Sequence, residues 1–194
     1  MRRKSYCIAF QEVVKYFLFL VSLFFYGFCI SQAFEYKDIP KDLKPIDSLK
    51  YQDYFKNGKI RERGKLYKYL IEGQEYITNT GYLYEFYRDG TFKRIYHMDP
   101  YGVVLSCRVY LCGNEVWIEQ NLVSIKTNHN SIQDYLSGEG FYERTYHSKV
   151  YNYSFKSDCN WLQKEGERVN GKKSKNWTIF NRDGSIKKIK NYNP

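Results

Sequence analysis

Proline is scarce in this sequence, with four residues in 194, and methionine scarcer still, with two. Histidine occurs three times, at 97, 129 and 147. No glycine-rich phosphate loop, nucleophile elbow or paired C-x-x-C spacing is present, so nucleotide-binding, hydrolase-elbow and zinc-ribbon chemistries lose their usual signatures. No cofactor and no metal is expected. Cys107, Cys112 and Cys159 are the cysteines beyond residue 33. In an oxidising compartment they allow one bridge, Cys107 or Cys112 with Cys159, and leave one thiol over. After residue 34 no stretch keeps a 3.6-residue apolar period for three turns, which excludes a helical bundle.

The abundant residues are tyrosine, 21 of them, and phenylalanine, 13. Flat rings pack well on a pleated surface, so this composition favours strands. Lysine and arginine outnumber aspartate and glutamate by 31 to 21, for a net charge of +10. Such an excess suits an acidic partner and says nothing about fold.

The N-terminus carries a basic start, Arg2-Arg3-Lys4, then an uncharged run from Tyr16 to Ala33. Its apolar core, YFLFLVSLFFYGFCI, is 15 residues long, short of the roughly 20 that span a bilayer. Ser31-Gln32-Ala33 then places small residues where a signal peptidase reads. Residues 1–33 are therefore expected to be a signal peptide forming a hydrophobic helix. An uncleaved anchor is the competing reading, which Glu12 and Lys15 keep open. Residues 1–33 hold four basic residues and one acidic one, so 27 and 20 remain after cleavage, a net +7. The expected location is exported: periplasmic or cell-envelope, with the membrane involved only through this segment.

Residues 34–50 alternate charges around two prolines and read as a linker with at most a short turn. From Tyr51 to Pro194 short strand-like runs alternate with Gly, Asn and Asp. Three segments superimpose: YFKNGKIRER (54–63), FYRDGTFKRI (86–95) and FNRDGSIKKI (180–189). On the shared Gly58, Gly90 and Gly184, an aromatic stands four residues earlier and a base two earlier. Asn or Asp comes just before the glycine, an apolar residue two after it and a base three after it. Asn-Gly and Asp-Gly supply the positive φ of a tight hairpin. Three hairpins with one side-chain order constitute a repeat. The reading is thus all-β, an extended antiparallel sheet of successive hairpins. Positive φ is expected at Gly184, with Trp177 and Ile179 on one face and Phe180 on the other. Residues 131–137 suggest one short helix capped by Ser131.

The run NGKKSKNWTIFNRDGSIKKIKNY (170–192) resembles the MORN-variant repeat proteins of bacteria, with Trp177, Phe180, Asp183, Gly184 and Ile186 in place and Asn176 where glycine is usual. The resemblance implies a ribbon of antiparallel hairpins with stacked aromatics and no catalytic residues to carry over. Some members of that family are described as antitoxin- or immunity-like.

Arg88, Lys93, Arg94, Arg182, Lys187 and Lys188, with Trp177 and Phe180, interleave bases and rings on strands and turns. They are the candidate binding residues for an acidic macromolecule, a protein in the first place. Export makes nucleic acid a less available partner. A lysine-rich edge that merely blocks strand-to-strand aggregation is the competing reading. His97 with Asp99, or Glu143 with His147, could serve a small secreted basic hydrolase such as a nuclease, but catalysis requires a third partner in mutual geometry. The sequence therefore favours a non-enzymatic binding protein. Cleavage after Ala33 is predicted, so N-terminal sequencing of the exported chain should begin at Phe34; a chain that starts at Met1 and stays in the membrane fraction would establish the anchor.

Overall fold

The computed structural model describes residues 34–111, 115–138, 142–154 and 159–193. The expected signal helix, Cys112 and the side chain of Cys159 lie outside the described residues. The described chain is all-β. Strand β1 spans Phe34–Glu35, β2 Asp47–Tyr54, β3 Ile60–Ile71, β4 Gln74–Phe86, β5 Phe92–Met98 and β6 Val104–Tyr110. Strand β7 spans Val116–Thr127, β8 Tyr142–Ser154, β9 Cys159–Val169, β10 Lys172–Phe180 and β11 Ile186–Tyr192. From β2 to β11 each strand pairs antiparallel with the next in sequence, so the sheet is one uninterrupted meander with β2 and β11 at its edges. The short β1 pairs with the last two residues of β7, Phe34 against Thr127 and Glu35 against Lys126.

One turn geometry recurs along the meander. The Phe55 amide donates to the Lys59 carbonyl at 2.8 Å, and the Gly58 amide returns to the Phe55 carbonyl at 2.9 Å. Tyr87–Thr91 with Gly90 and Asn181–Ser185 with Gly184 repeat both bonds. The glycine takes φ +78, +98 and +85 in the three turns, which an L side chain resists. In each, Asn57, Asp89 or Asp183 accepts the amide two residues on, at 3.2, 2.9 and 2.9 Å. Those hydrogen bonds, with the Thr91 and Ser185 hydroxyls contributing most, hold the Asp89 and Asp183 carboxyls below their usual range.

One further turn belongs to the series although its side chains differ. Asp99–Val103 makes the same bonds with Gly102 at φ +83, and at the β6–β7 hairpin the Leu111 amide donates to the Glu115 carbonyl at 2.7 Å. In all five hairpins the register slips by one residue beside the turn, where β2–β3, β4–β5, β5–β6, β6–β7 and β10–β11 begin to pair. A three-residue loop closed by a left-handed glycine and a bulge is a standard hairpin solution. The opposite ends of β3–β4 and β9–β10 use two-residue turns instead. These are Glu72-Gly73 and Asn170-Gly171, with both residues at positive φ.

The 34–50 segment is not a plain linker. It holds β1, a 3-10 turn at Tyr36–Asp38 and the first residues of β2. Tyr36 and Ile39 are buried with Tyr69, Tyr101, Val103, Ile125 and Ile132 in one cluster. Full burial of an Ile or Leu side chain is worth about 1.5–3 kcal/mol. The tyrosines stay inside because their hydroxyls find partners. Tyr36 donates to Asp99 Oδ2 at 2.6 Å and Tyr69 to the Pro100 carbonyl at 2.7 Å. The Tyr101 hydroxyl sits 3.0 and 3.1 Å from the Lys41 and Leu43 carbonyls. These bonds sew the 36–43 segment to the 99–103 turn. Ile132 comes from the expected helix, α1 at Ile132–Ser137, whose cap Ser131 accepts the Asp134 amide at 3.1 Å.

Residues 60–71 form one strand through Gly64, β4 begins eight residues before Tyr82, and β9 is a full strand. Strand β9 is needed by Trp177. The indole lies on Gly166, its cross-strand partner, and donates Nε1–H to the Glu167 carbonyl at 2.9 Å. A Cβ at Gly166 would sit 2.6 Å from Trp177 Cγ. Gly166→Ala should therefore cost about 1–3 kcal/mol by overpacking. Gly184→Val should cost a similar 1–3 kcal/mol through backbone strain alone, since nothing lies within 4 Å of a Cβ there. Urea unfolding with near-ultraviolet circular dichroism separates the two, because only Gly166→Ala should disturb the tryptophan signal.

Candidate functional site

Cross-strand partners share a sheet face. On β3, Arg63 stands opposite Gln52 of β2 and Tyr84 of β4, and Lys65 stands opposite Lys50. Tyr82 pairs with His97 of β5, and that row continues through Ser106 of β6 and Asn121 of β7. Lys50, Gln52, Arg63, Lys65, Tyr82 and Tyr84 line a groove of about 530 Å³. Tyr82 and Tyr84 also wall a second hollow of about 260 Å³, where Arg108 is held by Glu119 at 2.9 Å.

The rings in this groove brace cations and each other. The Arg63 guanidinium lies 4.8 Å over the Tyr84 ring and 5.5 Å from the Phe86 ring. Lys65 Nζ lies 4.5 Å over Tyr67 and donates to its hydroxyl at 3.2 Å. Tyr82 stacks on His97 at 4.7 Å and on Tyr84 at 6.0 Å. Among the described residues no carboxylate pairs with Lys50, Arg63 or Lys65.

The opposite face of the same strands has the reverse charge and satisfies it internally. Asp53, Glu62 and Glu85 form one cross-strand row. Arg61 pairs with Asp53, and Lys93 and Arg94 each reach Glu85 at 3.5 Å. Glu62 accepts the Tyr51 hydroxyl at 2.6 Å. Burial first, and that bond second, push the Tyr51 hydroxyl well above its usual range.

The expected binding residues do not form one surface. Arg88 is exposed in the 87–91 turn, beside a hollow of about 450 Å³ shared with Lys56, Asn57 and Arg61 of the neighbouring turn. Lys59 Nζ ties the two turns by donating to the Asp89 carbonyl at 2.7 Å. Arg182 sits in the 181–185 turn, with Lys187 and Lys188 exposed on the edge strand β11 and Phe180 half-buried. Six strand spacings of about 4.8 Å separate β5 from β11, so Lys93 and Lys187 lie roughly 29 Å apart. Trp177 is 1% exposed, which withdraws it from any contact surface. Its ring is flanked by Lys173 at 4.8 Å and Arg168 at 5.3 Å.

The histidines also stay apart. His97 and His147 occupy the same transverse row, three spacings or about 14 Å from each other. His147 stands opposite Glu167. Buried His129 is engaged with the Thr127 hydroxyl at 2.5 Å. Among the described residues no three metal-ligating side chains converge. Cys107 is buried and free, so it is not joined to Cys159; a Cys112–Cys159 bridge falls outside the described residues.

These features define a single-sheet protein of successive antiparallel hairpins with an aromatic and basic groove on one face. Comparison with protein-family models, with curated proteins and with solved structures gives no match for the chain.

Burial raises the ionisation of several groups here. The Cys107 thiol is pushed up to about 11, and the Tyr36 and Tyr69 hydroxyls well above their usual range. A folded state that holds its protons more tightly than the unfolded chain loses stability as pH rises. The urea midpoint should therefore fall progressively above about pH 9, and Cys107→Ala should remove the part of that fall between about pH 9 and 11.

Proposed function

We propose that this chain is an exported, non-enzymatic binding protein of the bacterial cell envelope that takes an acidic protein partner on one face of its sheet. The observation that carries the proposal is the division of charge between the two faces of β2–β4. The acidic row is matched by the chain's own cations. The basic groove is not, and two tyrosines and the sheet itself shape it. Cations that the fold leaves without counter-charges are suited to a partner that brings them.

The recurring hairpin supports kinship with the MORN-variant repeat proteins, and the antitoxin- or immunity-like role implied by that kinship is part of the proposal. Its support is the turn geometry shared at Gly58, Gly90, Gly102 and Gly184. One of those turns, at Gly102, lacks the side-chain order by which the repeat is recognised. The alternative is a secreted basic hydrolase working through His97 or His147. Its support is confined to the His147–Glu167 pairing, and no second histidine joins that pair.

A tagged full-length chain, extracted from its native envelope in mild detergent, should retain a partner at low salt. It should release that partner as ionic strength rises, because the Debye length falls from about 10 Å at 0.1 M to about 3 Å at 1 M. Reversing Arg88, Lys93 and Lys187 to Glu should slow association without abolishing it, since these charges lie away from the groove. Substrate turnover that is lost in His97→Ala or His147→Ala would instead establish the hydrolase.

A further inference from the structure

We propose that the groove over β2–β4 is a carboxylate-binding site for an extended acidic polypeptide segment, with Lys50, Arg63 and Lys65 as its cationic contacts. The inference rests on the binding-protein reading and narrows it to a place and a ligand class.

Lys50 and Lys65 are direct cross-strand partners, and Arg63 is the next residue on that face of β3. Like charges placed opposite one another destabilise a sheet. The free protein tolerates this although three carboxylates stand on the same strands. Asp53, Glu62 and Glu85 point to the other face, where Arg61, Tyr51, Lys93 and Arg94 engage them. Register, not composition, thus leaves the groove cations without a carboxylate partner among the described residues. A bound carboxylate would relieve the repulsion.

Arg63 is prepared for such a ligand. Its planar group rests on Tyr84 and near Phe86, which restrains it while leaving the N–H fork for an in-plane acceptor. That fork matches the two oxygens of a carboxylate. The groove volume of about 530 Å³ is that of several side chains in a row, more than one acetate would fill. Gln52, opposite Arg63, offers an amide to the ligand backbone.

The rings argue for a polypeptide over a single-stranded nucleic acid. Base recognition of that kind uses open aromatic faces. Here Arg63 covers Tyr84, and His97 and Tyr84 flank Tyr82. The tyrosines hold cations and wall the groove.

The test titrates the full-length chain, in detergent micelles, with a fluorescent decaglutamate peptide and, separately, with a ten-residue oligothymidylate. Decaglutamate should bind more tightly than the oligonucleotide. Arg63→Gln and Lys65→Gln should each weaken it at least about tenfold, while Lys172→Gln on distant β10 should change it less than about twofold. Lys50→Gln should weaken binding yet leave the thermal midpoint equal to or above that of the wild type, because it removes a repulsion. Equal decaglutamate binding by wild type, Arg63→Gln and Lys65→Gln would overturn the site. The binding-protein reading would survive that result if the envelope partner were still retained. Tighter binding of oligothymidylate would overturn the polypeptide assignment. A lowered thermal midpoint in Lys50→Gln would overturn the claim that the cations repel one another.

Discussion

A single positive-φ glycine closing a three-residue hairpin loop sets the register of this sheet. The bulge that accompanies it moves the pairing by one residue at a fixed place beside the turn, in the four hairpins closed by Gly58, Gly90, Gly102 and Gly184. Side chains alternate across a strand with period two, so a one-residue error would exchange the two faces. The acidic row Asp53–Glu62–Glu85 and the cations Lys50, Arg63 and Lys65 would then change places. Charge separation between faces is thus a consequence of turn chemistry at Gly58 and Gly90, with the Glu72-Gly73 turn joining β3 to β4.

A long single sheet has little second layer to bury against, and the chain compensates locally. At one end the 36–43 segment, the 99–103 turn and α1 enclose a cluster in which three of the seven buried residues are tyrosines. Tyrosine suits that place because it contributes a large apolar ring while its hydroxyl satisfies a buried carbonyl or carboxylate. Tyr36 with Asp99 and Tyr69 with Pro100 show both kinds. Near the β11 edge, Trp177 is buried by a different device: Gly166 removes a side chain so that the indole can lie on the neighbouring strand. The open edges β2 and β11 carry Lys50 and Lys187, Lys188 and Lys190, which discourage further strand addition.

The turns at Gly58, Gly90 and Gly184 were legible from sequence because their chemistry is local. Asn or Asp beside glycine, flanked by aromatic and branched residues, states the hairpin within ten residues. The turn at Gly102 was not legible as a repeat, since its aspartate sits at the first position and bonds both Tyr101 and Val103 amides. Strand β9 is hard to read from the sequence because CNWLQKEGERV alternates poorly; its glycine and charges make sense only beside Trp177. Burial of Trp177 was likewise not legible. A tryptophan between lysines resembles a contact residue until Gly166 and the Glu167 carbonyl are brought against it. Position 176 holds Asn where glycine is usual in the resembled repeat, and Lys175 next to it takes φ +55 within the bulge.

The sequence by itself determined the β character, the hairpin turns, the short capped helix and the excess of positive charge. Each of these depends on neighbours within a few residues or on composition. Only the tertiary structure decided which cations matter. Lys50, Arg63, Lys65, Tyr82 and Tyr84 come from three strands, and their shared face depends on two bulges in the first half of β3 and on Gly81 at φ +66. Counting charges along the chain treats Lys93 and Arg63 alike. Pairing separates them, because Lys93 meets Glu85 across the strand while Arg63 meets a tyrosine ring.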